Sequence, residues 1–338
     1  MQSDATSSRK ADHLDLAFLS QVSDTDSRFY YEPAINAHPN HSIGAISFLD
    51  YTLHAPLWIS SMTGGTDHAK TINQNLAKAC GKFKLGMGLG SCRILLDDSK
   101  YLEDFKVRKF IGDDLPLFAN LGIAQLESLL NSGKVNKLKE LLDKTEANGL
   151  IIHINPLQEW LQAEGDSIKQ SPLITLSELL NKVDFKLIVK EVGQGMGPKS
   201  LEALMKLPLS AIDFGAHGGT NFAMLEMLRG DKIKKDVYEP IANIGHTANE
   251  MVELVNDILA NSKNYACQNF IISGGVKSFL DGYYLTKKLN ANAIYGQASA
   301  LLKFAKEDYE SLCEYLELQI KGLAMANTFL TIKSPLTQ

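Results

Sequence analysis

Four polar side chains close an apolar run in the segment His153-Ile154-Asn155-Pro156-Leu157-Gln158-Glu159. An imidazole, two carboxamides and a carboxylate are costly to bury unpaired, so this segment either caps a helix or lines a site. The capping account is specific. Asn155 would be the N-cap, Pro156 the first helical residue, Gln158 would complete a capping box, and Glu159 would meet the positive end of the helix dipole. That account leaves His153 unexplained. His153 and Asn155 stand two apart and would share one face of a strand. The set could hold a polar ligand and a hard cation, with Glu159 the group suited to Mg²⁺. On pattern alone the two accounts stand level.

Other apolar runs end in the same way. Met62-Thr63-Gly64-Gly65 closes the first, Ser91 the second, and Asn120 the third. Lys190 stands inside Ile-Val-Lys-Glu-Val, where a lysine needs an ion-pair partner or a ligand anion. Asp213 reads as an anchor for the loop that ends in Gly218-Gly219-Thr220-Asn221. Ser273-Gly274-Gly275, with Lys277 beyond it, closes the seventh run, and Gly296-Gln297-Ala298 the eighth. Glycines let backbone N–H groups approach a phosphate, and two such loops in this order suit a phosphorylated flat cofactor. FMN fits better than a dinucleotide, because no Gly-x-Gly-x-x-Gly helix start with a spaced acid follows any strand.

The elements that would position these groups recur along the chain. Apolar runs occupy 56–65, 85–91, 115–122, 149–155, 186–193, 211–219, 269–275 and 293–298. Helical patterns fill 123–146, 176–182, 199–206, 246–259 and 278–289. Near-continuous apolar runs alternating with helices predict a parallel sheet covered on both faces. Eight of them predict a (β/α)₈ barrel of TIM type over 56–338, with its site at the C-terminal strand ends. An open doubly wound sheet is the alternative that periodicity leaves standing. Residues 1–55 read as an extension packed on the barrel, with 1–8 disordered.

Composition narrows the class. The 338 residues carry a net charge of -5 and no basic patch with interleaved aromatics, which argues against nucleic-acid binding. Cys80, Cys92, Cys267 and Cys313 form no CxxC pair, so a reducing compartment fits. The polar start and the lack of a long apolar run predict a cytoplasmic protein without a signal peptide or membrane span.

In order, the chain carries Arg9-Lys10-x-x-His13-Leu14, Met62-Thr63-Gly64-Gly65, Gly90-Ser91-x-Arg93, Asn120-Leu121-Gly122, and His153-x-Asn155-x-x-Gln158-Glu159. Lys190-Glu191-x-Gly193-x-Gly195-Met196, Gly218-Gly219-Thr220-Asn221-Phe222 and Ser273-Gly274-Gly275 follow. This series, which spans nearly the whole chain, resembles type 2 isopentenyl diphosphate isomerases, the flavin-dependent form. The resemblance implies an FMN-binding barrel in isoprenoid biosynthesis that interconverts isopentenyl and dimethylallyl diphosphate, with reduced FMN as acid and base. It implies FMN contacts from Met62, Thr63, Gly64, Ser91, Asn120, Lys190 and Thr220, with Lys190 at the N1/O2 edge. Gly274, Gly275, Lys277, Gln297 and Ala298 would hold the FMN phosphate. Arg9, Lys10, His13, Arg93 and Gln158 would bind substrate, His153, Asn155 and Gln158 would act in catalysis, and Glu159 would hold Mg²⁺. NADPH would reduce the flavin. A homo-oligomer, tetrameric or larger, is implied as well.

Three positions depart from the family pattern. Lys277 replaces a common arginine, so a point charge stands where a fork would bind. Gly197 stands where serine is common, and His217 is unusual. Competing classes need other residues. A flavin 2-hydroxyacid oxidoreductase needs a His and Arg pair after the sixth strand, where Gly218-Gly219-Thr220-Asn221 stands instead. A nucleotide dehydrogenase barrel needs a cysteine there, and 215–266 has none. A silent scaffold would gain nothing from such costly polar clustering.

Overall fold

The computed structural model describes residues 9–333 except 11, 40–42, 61, 62, 66, 67 and 263. The expectation of disorder at 1–8 and the FMN role of Met62 fall outside the described residues.

Eight parallel strands close into a barrel in the order β7-β8-β1-β2-β3-β4-β5-β6. They are β1 (Leu57–Ile59), β2 (Gly86–Gly88), β3 (Leu117–Gly122), β4 (Gly149–His153), β5 (Lys186–Lys190), β6 (Ala211–Asp213), β7 (Asn269–Ser273) and β8 (Asn292–Gln297). Seven fall within the predicted runs, and β8 begins one residue before the run at 293–298. Closure removes the sheet edges and settles the choice against an open sheet. The strands are apolar because helices cover the outer face while side chains fill the lumen. All six residues of β3 are buried. Trp58 meets Phe118 edge-on at 6.0 Å, and Phe214 meets Phe270 at 5.9 Å. Each such side chain, fully buried, contributes about 1.5–3 kcal/mol.

The helices differ from expectation in one instructive place. The stretch 123–146 forms two helices, Ile123–Asn131 and Asn136–Thr145. Gly133 between them has φ +68°, the left-handed region that ends a helix cheaply only at glycine. The segment 246–259 forms Ala248–Asn261, started by a Thr247/Glu250 capping box. The helix Phe279–Lys288 starts with a Ser278/Asp281 box. The expected helices at 176–182 and 199–206 are Pro172–Leu180 and Pro198–Met205, and Ala69–Phe83, Phe222–Arg229, Lys232–Tyr238, Ser299–Glu307 and Tyr309–Phe329 are helices that the pattern does not predict.

Before the barrel, Phe29–Tyr31 pairs antiparallel with Leu330–Ile332, which ties the two ends of the chain together. The hairpin Ile46–Phe48/Tyr51–Leu53 turns through Leu49 and Asp50, both at positive φ, and Asp50 is ion-paired to Lys186 at the start of β5. Among the described residues no helix is long and apolar enough to cross a membrane.

Candidate active site

Parallel strands bring all their carboxyl ends to one rim, and the register sets which ends are neighbours. Gly122, His153, Lys190 and Asp213 lie side by side on β3, β4, β5 and β6. Lys190 lines the cavity at the barrel mouth. Rung neighbours point their side chains to the same face, so His153 and Asp213 face inward beside it.

His153 Nδ1 donates to Asn120 Oδ1 at 2.7 Å. Burial pushes its pKa down to about 3, and the Lys190 charge adds to the effect. The ring is therefore neutral, with the proton on Nδ1 and a lone pair on Nε2. Gly122 makes room for it: an added Cβ would lie 3.0 Å from Nε2.

Lys190 Nζ donates to the Glu191 carbonyl at 2.7 Å. Among the described residues no carboxylate forms a salt bridge with it, so the ion-pair account of this lysine is not met. Glu191 instead organises the loop after β5. Its Oε2 accepts from the backbone N–H groups of Gly193, Gln194 and Gly195 at 2.7, 2.7 and 3.0 Å. Burial raises the Glu191 pKa against the pull of those donors. Asp213 is an anchor, as expected. Ser273 Oγ donates to its Oδ1 and accepts from Gly215 N at 3.0 Å, which joins the β6 and β7 loops. Burial raises the Asp213 pKa, while Lys190 draws it down.

The glycine loops form the rest of the mouth. Thr220, Gly274, Gly275, Gln297 and Ala298 line the same cavity as Lys190, together with Ser60, Gly193, Gly215 and Gly296. A Cβ on Gly274 would lie 2.0 Å from Ala216 O, and one on Gly219 would lie 3.2 Å from Gly275 N. Ser60 Oγ is buried there without a partner. Small residues, free backbone and an orphan hydroxyl fit a phosphorylated planar group. The Gln297 side chain is engaged inside the fold. Its Oε1 accepts from Gln319 and its Nε2 donates to Val276 O, so only its backbone is available to a phosphate. Lys277 is exposed and outside the cavity lining. Thr63, Gly64 and Ser91 flank the mouth without lining that cavity, and Thr63 and Gly64 sit by Asn73 and Phe105.

After β4, Pro156 opens the helix Pro156–Leu161 with Asn155 at its N-cap position. The capping box does not form. Asn155 Nδ2 donates instead to Gln158 Oε1 at 3.0 Å and Glu159 Oε1 at 3.1 Å. Its Oδ1 stays buried without a partner. The side chain has turned from its own helix to hold two site groups in place. Gln158 Nε2 donates to Glu226 Oε1 at 3.3 Å, and Glu226, itself buried, is paired to Arg229 at 2.9 Å. The sequence alone does not single out Glu226. Its one signal there is an acid set in the otherwise apolar Ala-Met-Leu-Glu-Met-Leu pattern. Among the described residues no group of three His, Cys, Asp or Glu gathers around Glu159. One carboxylate beside a carboxamide fits a Mg²⁺ that takes its other ligands from water and a diphosphate. Arg9, Lys10 and His13 are exposed on an N-terminal helical stretch and do not line the mouth.

No family model matches the chain. Among solved structures, the flavin-binding domain of baker's yeast flavocytochrome b2 superposes with a TM-score of 0.59 at 11% identity, over 89% of this chain and 72% of that one. A mandelate oxidase with a monooxide FMN adduct gives 0.55 at 11%, over 94% and 95%. These likenesses concern the fold. Among curated proteins, the isopentenyl-diphosphate delta-isomerase of Rickettsia felis is 33% identical over 322 residues, 93% of this chain and 90% of that protein. The Rickettsia africae protein of the same name is 34% identical over 323 residues, 93% and 91%. With likeness of that extent running from end to end, the chain belongs to the isopentenyl-diphosphate delta-isomerase family.

Proposed function

We propose that this enzyme interconverts isopentenyl and dimethylallyl diphosphate by the flavin-dependent route. The observation that carries the reading is the rim itself: neutral His153 and unpaired Lys190 on adjacent strands, between glycine loops on one side and the Asn155–Gln158–Glu159 group on the other. FMN, bound and reduced, would supply the proton donor and acceptor for the allylic shift, with NADPH as the source of its electrons.

The residues would divide the work as follows. The Gly274-Gly275 and Gly296–Ala298 backbones would hold the FMN phosphate, with Thr220 and Ser60 at hand. Lys190 would set a positive charge against the flavin, where its lone carbonyl contact leaves two N–H donors free. Glu159 would carry Mg²⁺, which with Arg93 would neutralise the substrate diphosphate. His153 would accept hydrogen bonds at Nε2 and cannot repel a cationic metal at neutral pH. Asn155 and Gln158, locked to each other, would fix the isoprenyl end beside the flavin, which is how a weakly basic alkene comes within reach of its acid.

The test is an anaerobic assay of isopentenyl diphosphate conversion with FMN, NADPH and Mg²⁺, each omitted in turn. Dimethylallyl diphosphate should appear with the full set, and omission of FMN or Mg²⁺ should stop it. Turnover without flavin would overturn the reading.

A further inference from the structure

The loop 162–170, after the helix Pro156–Leu161, is tied down by residues from separate elements. Asp166 N donates to Glu159 Oε2 at 2.7 Å. Asp166 Oδ2 accepts from Gln125 Nε2 at 2.7 Å and pairs with Arg93 Nη1 at 2.7 Å. Lys169 N donates to the buried Glu127 at 3.0 Å. Gly165 makes the turn possible, since a Cβ there would lie 1.9 Å from Glu159 O.

The Arg93–Asp166 pair is half open to water, at 53% and 42% side-chain exposure. Pairs so exposed do little for folding stability. The consequence of this one lies in direction. Through a single residue, Asp166, the guanidinium after β2 is linked to the carboxylate after β4. Gln125 fixes the bridging carboxylate, and Glu127 fixes the far end of its loop. We propose that Asp166 is a positioning residue for diphosphate recognition, holding Arg93 beside Glu159 so that the cation and the metal-bearing anion address one ligand. This rests on the isomerase reading above. Asp166 also brings a negative charge toward an anion. Arg93 itself neutralises that charge, whereas a released Arg93 would have to be ordered at each binding event, so the pre-ordering wins.

The test uses the FMN-loaded full chain with inorganic diphosphate as probe, with and without Mg²⁺, and steady-state kinetics with isopentenyl diphosphate. Asp166→Asn should weaken Mg²⁺-dependent diphosphate binding roughly tenfold, as the loss of a charge-assisted contact does. It should raise KM more than it lowers kcat, with melting temperature and FMN affinity unchanged. Asp166→Asn combined with Arg93→Ala should bind no more weakly than Arg93→Ala alone, and Asp166→Glu should recover part of the loss. Unchanged diphosphate affinity in Asp166→Asn, additive losses in the double variant, or a general loss of stability would overturn the positioning role. A wild-type protein that binds no diphosphate with Mg²⁺ would instead bring down the isomerase reading, and this role with it.

Discussion

His153 and Asn120 meet at 2.7 Å across adjacent strands, Nδ1 to Oδ1, near the C-terminal ends of β4 and β3. The contact fixes the tautomer of the imidazole, and burial beside Lys190 fixes its charge. A strand-end histidine thus becomes a neutral acceptor at Nε2.

That charge state has a pH signature. The folded pKa of about 3 lies below the ordinary value of 6.5, so the unfolded chain binds the proton more strongly. This contribution to stability is complete above pH 6.5 and declines as pH falls toward 3. Between pH 7 and pH 5 the His153 share of the loss should be on the order of 2 kcal/mol. Urea midpoints of wild type and His153→Asn at both pH values check this. The variant should lose less stability over the interval, and parallel losses in the two proteins would contradict it.

Glu159→Gln should stop Mg²⁺-dependent turnover while FMN stays bound. The fall in kcat/KM should exceed the roughly 10–100-fold that changes in outer ligand shells cost. Visible absorbance reports the flavin and the isomerisation assay reports the rest. Wild-type activity in the variant would remove the metal role.

Lys190→Ala removes a cation from the cavity wall without breaking an ion pair. FMN affinity should drop by about tenfold or more, the scale of a lost hydrogen bond from a charged group. The flavin reduction potential should also fall, because the anionic reduced form loses its countercharge. Flavin titration and potentiometry read the two effects, and no change in either would dismiss the assignment.

Two glycines separate backbone strain from close approach. Gly274 and Gly112 have φ of +87° and +86°, but an added Cβ meets Ala216 O at 2.0 Å in the first and nothing within 4 Å in the second. Gly112→Ala should cost about 1–3 kcal/mol from conformation alone. Gly274→Ala should cost more and should also release FMN, since the β6 and β7 loops must part. Equal destabilisation of the two variants in urea would show that the β7 loop yields freely.

Much of this protein is legible in its sequence because the information is local. Each strand is a short apolar run that closes in its own polar or glycine-rich residues, and eight such runs with helices between them lead to the barrel. The groups of the site, from Lys190 to Glu159, mark themselves by being polar where the pattern is apolar. Local pattern leaves open which partner a polar side chain takes. It leaves Asn155 between a helix cap and a site group, and in the fold the residue stands at the N-cap position while its side chain is held by Gln158 and Glu159. It says nothing of the Gln297 amide oxygen, which accepts from Gln319 on the last long helix.

What only the tertiary structure decided is who stands beside whom. Asn120 and His153 are 33 residues apart, and Gln158 and Glu226 are 68 apart. Barrel register and loop path bring each pair within hydrogen-bond reach, and neither can be read from a single segment. The same holds for the charge on His153, which depends on burial and on the lysine one strand away. Residue types along the chain determined the chemistry available, and closure of the sheet determined which of those groups act together, because a hydrogen bond requires contact in space and periodicity specifies only the face.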